Sequence, residues 1–123
     1  MRVSPTPARA PNVYQIDRFV AIVRPEQPFL DWLNGIAEYE PLELSLEQAQ
    51  QDCTALLVPQ FEDEDEAVSF VYKLWDQLFE SELQDWTDNR ALWPQGRSIE
   101  MFMEWFSVQV HTTVVDLVED DAS

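Results

Sequence analysis

Two short apolar runs, each closed by a proline, constrain this chain more than any other feature. Phe19 to Val23 reads FVAIV and is followed by Arg24 and Pro25; Cys53 to Val58 reads CTALLV and is followed at once by Pro59. Five or six residues are too few for a buried helix, and β-branched, continuously apolar runs of this length predict strands buried in a sheet. Proline has no N–H to give a ladder, so each run has a defined end.

Helical signals fill the space between and after these runs. Phe29, Leu30, Trp32 and Leu33 have helical spacing, Pro28 suits a first turn, and Gly35 suits the residue after a helix end. Ser45 and Gln48 form a capping box for a short helix from Leu46 to Gln51. Over 64–83, Ala67, Phe70, Val71, Leu74, Trp75, Leu78 and Leu83 make one broad stripe, with Lys73, Asp76, Gln77 and Glu80 opposite, which predicts a single long helix. Residues 84–97 lack a period and contain Pro94 and Gly96, so they read as a loop. Ser98 can cap a helix bearing Ile99, Phe102, Met103 and Phe106, and 108–118 reads as a third strand.

Strands separated by helices in the order β-α-α-β-α-α-β predict an α+β fold, a small two-layer domain with a three-stranded sheet packed against helices. No tight turn joins the first two strands, so they are expected to be parallel or apart in the sheet. Two free sheet edges make a homodimer through an edge strand an expectation as well. Residues 1–16, with three prolines in the first twelve, read as a flexible tail; 17–118 form the domain; the acidic 119–123 read as a disordered tail.

From Arg24 to Asp116 the chain resembles a group of short acidic bacterial proteins with no assigned activity. The likeness rests on PFLDWLN (Pro28 to Asn34), LLVPQFEDEDEA (Leu56 to Ala67), LWP (Leu92 to Pro94) and the block from SIEMFMEWF to VVD (Ser98 to Asp116). The resemblance implies one bacterial cytoplasmic domain and assigns no functional residue; the segment before Asp17 lies outside it.

Charge narrows the function. Asp and Glu number 24 against seven Lys and Arg, a net charge of −17 at pH 7. Such a field repels nucleic acid and anionic membranes and attracts basic proteins and divalent cations. The five Trp, seven Phe and three Tyr show that the acidity belongs to a folding chain and not to a disordered one. Lys73 is the sole lysine, a composition also produced by adaptation to a salt-rich cytoplasm. One cysteine, no apolar leader and no apolar stretch near the roughly 20 residues of a spanning helix point to a cytoplasmic protein without membrane contact.

The densest charge is the run Glu62, Asp63, Glu64, Asp65 and Glu66. Asp63 can cap a helix with Glu66 three residues on, and acids in a first turn complement the helix dipole. A calcium loop needs alternating ligands and a central glycine, and successive helical residues diverge by about 100°, so the run does not suit one ion. Five acids exceed what capping needs, and the excess suits a basic partner. His111 and Cys53 are each single, too few for zinc, and would form a nucleophile–base pair only if their strands adjoin. In the loop, Trp86 and Trp93 accompany Arg90 and Arg97; these are the residue types of binding hot spots, or else indoles tucked over the sheet end with arginines paired to Asp85 and Asp88. No phosphate-binding glycine loop or hydrolase serine elbow is present.

The sequence reading is therefore a non-enzymatic protein-binding module without a cofactor. It engages a basic protein through Glu62, Asp63, Glu64, Asp65 and Glu66, with Trp86, Arg90 and Trp93 as anchor. A DNA mimic and an immunity or antitoxin protein are variants of this reading. The alternative is a small enzyme or divalent-metal protein using His111, Cys53 or surface carboxylates.

Overall fold

The computed structural model describes residues 14–36 and 44–118. The expectations for the tails at 1–13 and 119–123 lie outside the described residues. In chain order the elements are β1 (Tyr14–Gln15), β2 (Arg18–Pro25), α1 (Gln27–Gly35), α2 (Leu46–Ala49), β3 (Thr54–Pro59), α3 (Glu64–Lys73) and α4 (Trp75–Gln84). A 3₁₀ turn (Arg90–Leu92), α5 (Ile99–Trp105), β4 (Phe106–His111) and β5 (Val115–Asp116) complete the chain. The protein is an α+β domain built on a three-stranded antiparallel sheet ordered β3-β2-β4.

The first two long strands are neither parallel nor apart, as expected, but adjacent and antiparallel, with Arg18 opposite Pro59 and Val23 opposite Thr54. The reason lies in the connection. One helix would carry the chain to the far end of the sheet, whereas α1 and α2 return it to the end it left. β4 pairs antiparallel with the other side of β2, Pro25 opposite Phe106 and Val20 opposite His111. Beyond this ladder β1 pairs with β5, Gln15 opposite Val115, so pairing reaches residues assigned to the tail. Four residues separate Gln15 from Val20 and three separate His111 from Val115, so the two ladders are offset by one residue and form separate sheets. The third strand is thus shorter than expected and resumes only as β5, leaving His111 at its end and exposed rather than in its middle.

The two apolar runs are buried on one face, not two. Phe19, Ala21 and Val23 of β2 and Val58 of β3 are buried, while Val20 and Ile22 are half-buried and Ala55 and Leu57 are exposed. Phe19, Ala21, Val23, Val58 and Phe106 of the sheet join core clusters shared with helices, and none of the outward residues does. β3 is an edge strand, and its Leu57 is 65% exposed.

The expected helix over 64–83 is two helices. At Leu74 the backbone turns to φ −102° and ψ 17°, and its N–H bonds the carbonyl of Val71, three residues back. That break changes which residues face inward. Ala67 and Val71 of α3 pack on Phe19, Ala21 and Val58, whereas Phe79 and Leu83 of α4 enter a second core with Val23, Phe29, Phe102 and Phe106. Phe79, absent from the stripe read in the sequence, is fully buried, and Leu74, included in it, is 37% exposed.

Local chemistry fixes the helix starts. Ser45 and Gln48 form the full capping box, with Ser45 Oγ accepting from the Gln48 N–H and Gln48 Oε1 from the Ser45 N–H. Ser98 caps α5 through the Met101 N–H. Gly96 takes φ 67°, the left-handed region where a side chain is strained, and turns the chain toward that cap.

Candidate functional site

The acid run sits where the sequence places it, at the start of α3. Asp63 Oδ1 accepts the Glu66 N–H at 2.9 Å, so Asp63 is the cap and Glu64, Asp65 and Glu66 form the first turn. A cap of this kind is worth about 1 kcal/mol, and exposed first-turn acids about 0.3–1 kcal/mol each. All five acids are exposed. The structure adds a neighbour that the sequence reading did not connect with them. Phe61 and Phe70 lie ring to ring at 5.5 Å and, with Asp63, Asp65, Glu66, Ser69 and Lys73, line an open groove of about 340 Å³. No periodicity marks the pair in the sequence, because Phe61 precedes the cap and only Phe70 lies in α3.

The tryptophan loop is organised differently from either sequence reading. Trp93 is 4% exposed and belongs to the core, its indole N–H donating to the Thr87 carbonyl at 3.0 Å. Arg90 is exposed, yet its guanidinium lies 4.7 Å from the centre of the Trp93 ring. Neither arginine has its salt bridge with Asp85 or Asp88: Arg97 pairs with Glu80 at 2.9 Å, donates to the Pro94 carbonyl and lies between the Trp93 and Phe79 rings. From α1, Trp32 donates its indole N–H to the Leu92 carbonyl and ties the loop down. Of the three expected anchor residues, Trp93 has no face to offer a partner, Arg90 is committed to stacking on it, and Trp86 remains 37% exposed.

Trp86 instead helps to line a second, more enclosed cleft of about 190 Å³ between the start of β3 and the end of α4. Pro25 and Phe29 supply apolar wall, and Asp52, Cys53, Thr54, Glu82 and Asp85 supply polar groups. The Thr54 hydroxyl donates to Glu82 Oε2 at 2.6 Å. Burial pushes the Glu82 carboxyl above its ordinary range and the charge of Asp85 adds to this, against the Thr54 hydrogen bond, which favours the anion. Burial also raises the Cys53 thiol; Arg24 opposes the shift, and Glu82, Asp52 and Glu26 reinforce it. A thiol held protonated is a poor nucleophile.

Cys53 and His111 do not meet. Cys53 precedes β3, His111 ends β4, and β2 runs between the two strands. Among the described residues no group of three or more His, Cys, Asp or Glu could hold a metal ion, and no helix is long and apolar enough to cross a membrane.

The raised Glu82 carboxyl has a consequence for stability. Its folded pKa lies above its unfolded one, so the fold loses stability as pH rises between the two values. Glu82→Gln keeps an acceptor for Thr54 and removes the desolvated charge. Thermal melts over a pH series are expected to show the variant more stable than the parent at pH 7 and equal to it below about pH 4, where an ordinary glutamate is itself protonated. A variant less stable at pH 7 would mean that the Thr54 bond to the anion outweighs its desolvation.

No protein-family model matches this chain, and no curated protein or solved structure does so either.

Proposed function

We propose that this protein is a non-enzymatic binding module for a basic protein, and that the groove beside the acid run receives it. The supporting observation is that Asp63, Asp65 and Glu66 of the exposed acid run line one groove with the Phe61–Phe70 pair. Charge steers an encounter and raises its rate, but affinity comes from apolar surface that is desolvated on contact. The groove offers both side by side. The tryptophan loop named from the sequence does not, since Trp93 is buried.

The run favours a compact contact over a track. Only Glu64, Asp65 and Glu66 are in the helix, rising about 3 Å along its axis, with Asp63 at the cap and Glu62 before it. Duplex DNA carries a charge about every 1.7 Å of axis over the whole length of a bound site. A basic patch on a protein suits this run better than a groove evolved for nucleic acid, so the mimic stands second. A bacterial and cytoplasmic setting follows from the resemblance and belongs to the same proposal.

The test is capture from cell lysate on the immobilised chain, repeated with Asp63→Asn/Asp65→Asn/Glu66→Gln, in which Asn preserves the cap. One dominant basic protein is expected, released by added salt and retained about tenfold or more weakly by the triple variant. A control with Asp76→Asn and Glu100→Gln should retain it fully. Capture of many basic proteins alike, or equal retention by the triple variant, would sink the reading.

A further inference from the structure

We propose that the open face of the sheet docks one amphipathic helix of an acidic partner, its apolar stripe on Val20, Ile22 and Leu57 and a carboxylate at Arg18. The face shares no residue with the acid-run groove, so the two proposals stand or fall separately.

The strand register assembles this face. Side chains alternate across a strand, and Phe19, Ala21, Val23 and Val58 point inward, so the residues between them point outward. Val20 then stands between Leu57 and His111, and Ile22 between Ala55 and Gln109. Arg18 beside Pro59 and Arg24 beside Ser107 close the two ends of the strip. Neither core cluster includes an outward residue, and Leu57 stays 65% exposed. Contiguous branched apolar side chains left open on a sheet mark an interaction surface. Area then selects what covers it. Strands about 4.8 Å apart, paired from Arg18 to Arg24, make a face of about 14 by 20 Å. That is roughly 300 Å² in plan, well short of the about 800 Å² per partner of a stable dimer, so a second copy suits it poorly. A single helix, about 10 Å across, covers it along the strands in about 14 residues.

Charge selects the sign of the partner. The chain carries 24 Asp and Glu, yet no outward position of the paired stretch is one of them. Asp17, Glu26, Asp52 and Glu62, the acids that flank β2 and β3 in the chain, all lie outside that stretch. Two of the seven Lys and Arg stand on the face instead. Arg24 is engaged, donating to Gln50 Oε1 at 2.9 Å. Arg18 is exposed and gives one N–H to the Asp17 carbonyl at 2.7 Å, and the rest of its guanidinium fork matches a carboxylate. At 0.15 M salt the screening length is about 8 Å, so a helix seated here feels Arg18 more than the distant acids. A basic helix is drawn to the acid run instead.

The experiment is an amide NMR titration of the full chain, at about 0.15 M salt, with synthetic helical peptides of about 14 residues. They share an Ala-rich body with a Leu stripe and differ only in carrying Glu, Gln or Lys at one end. Saturable shifts are expected at Val20, Ile22 and Leu57 with the Glu peptide, and the Gln peptide should bind there about threefold more weakly. Arg18→Gln should erase that difference and leave affinity for the Gln peptide unchanged, a result that a packing defect would not give. Leu57→Glu should weaken the Glu peptide about tenfold or more, with fold checked by circular dichroism. Shifts that never saturate, or Gln or Lys peptides that bind this face as tightly as the Glu peptide, overturn the proposal. These comparisons use the parent chain and hold even if a variant fails to fold. Sedimentation of the parent as a dimer that Leu57→Glu dissociates also overturns it, and gives the face to a second copy. Loss of lysate capture with the titration intact removes the groove reading alone.

Discussion

Phe79→Ala is expected to remove about 3–5 kcal/mol of stability, a large share of the roughly 5–15 kcal/mol that holds a domain of this size together. Phe79 is fully buried, and its ring lies 5.9 Å from Phe102, 5.4 Å from Trp105 and 5.5 Å from Phe106. Alanine there leaves a cavity bounded by three aromatic rings that cannot close around it without moving α5 and the start of β4. Phe79→Leu, which refills most of the volume, should cost less than half as much. Leu74→Ala should cost less than about 1 kcal/mol, because Leu74 is already partly in solvent at the break between the helices. Urea unfolding of the three variants measures the order directly. If Leu74→Ala proved the most damaging, α3 and α4 would be one continuous helix with the stripe read from the sequence facing inward.

The tryptophans give the second large contrast. Trp93→Ala should cost about 3–5 kcal/mol, since it empties a core site and removes the platform under Arg90 and Arg97. Trp86→Ala, at a 37% exposed position, should cost no more than about 1 kcal/mol. Both are read from thermal or urea melts followed by circular dichroism, so that the missing fluorophore does not enter the signal. Equal costs would return Trp93 to the surface as a candidate anchor.

These two contrasts mark where the sequence is legible and where it is not. Features written within a few residues were readable: the proline-stopped runs, the Ser45–Gln48 box, the Asp63 cap and the Ser98 cap all act over three or four positions. Partnerships across the chain were not. Whether β3 runs with or against β2 depends on the return path through α1 and α2, not on any residue in either strand. The break at Leu74 is invisible to a periodic stripe because both halves keep helical spacing and only the phase changes, exchanging Leu74 for Phe79 in the core. Phe61 belongs to no periodic segment, so its pairing with Phe70 appears only once α3 has folded back beside it. The Glu82 cleft is harder still: it needs Thr54 and Glu82, 28 residues apart, to meet in space.

The place of β2 at the centre of the sheet governs the order in which the protein can be made. Its partner β4 begins 81 residues after β2 ends, from Pro25 to Phe106, and loops of that length close late. A nascent chain emerging from the ribosome holds β2 and β3 with one side of the central strand unpaired until β4 has appeared. Phe102 and Phe106, which fill the core against Phe79, arrive in that same last stretch. Folding therefore finishes at the C-terminal end of the domain, and for most of synthesis the chain exposes an open strand edge and an unfilled aromatic core, the state most vulnerable to proteases and aggregation.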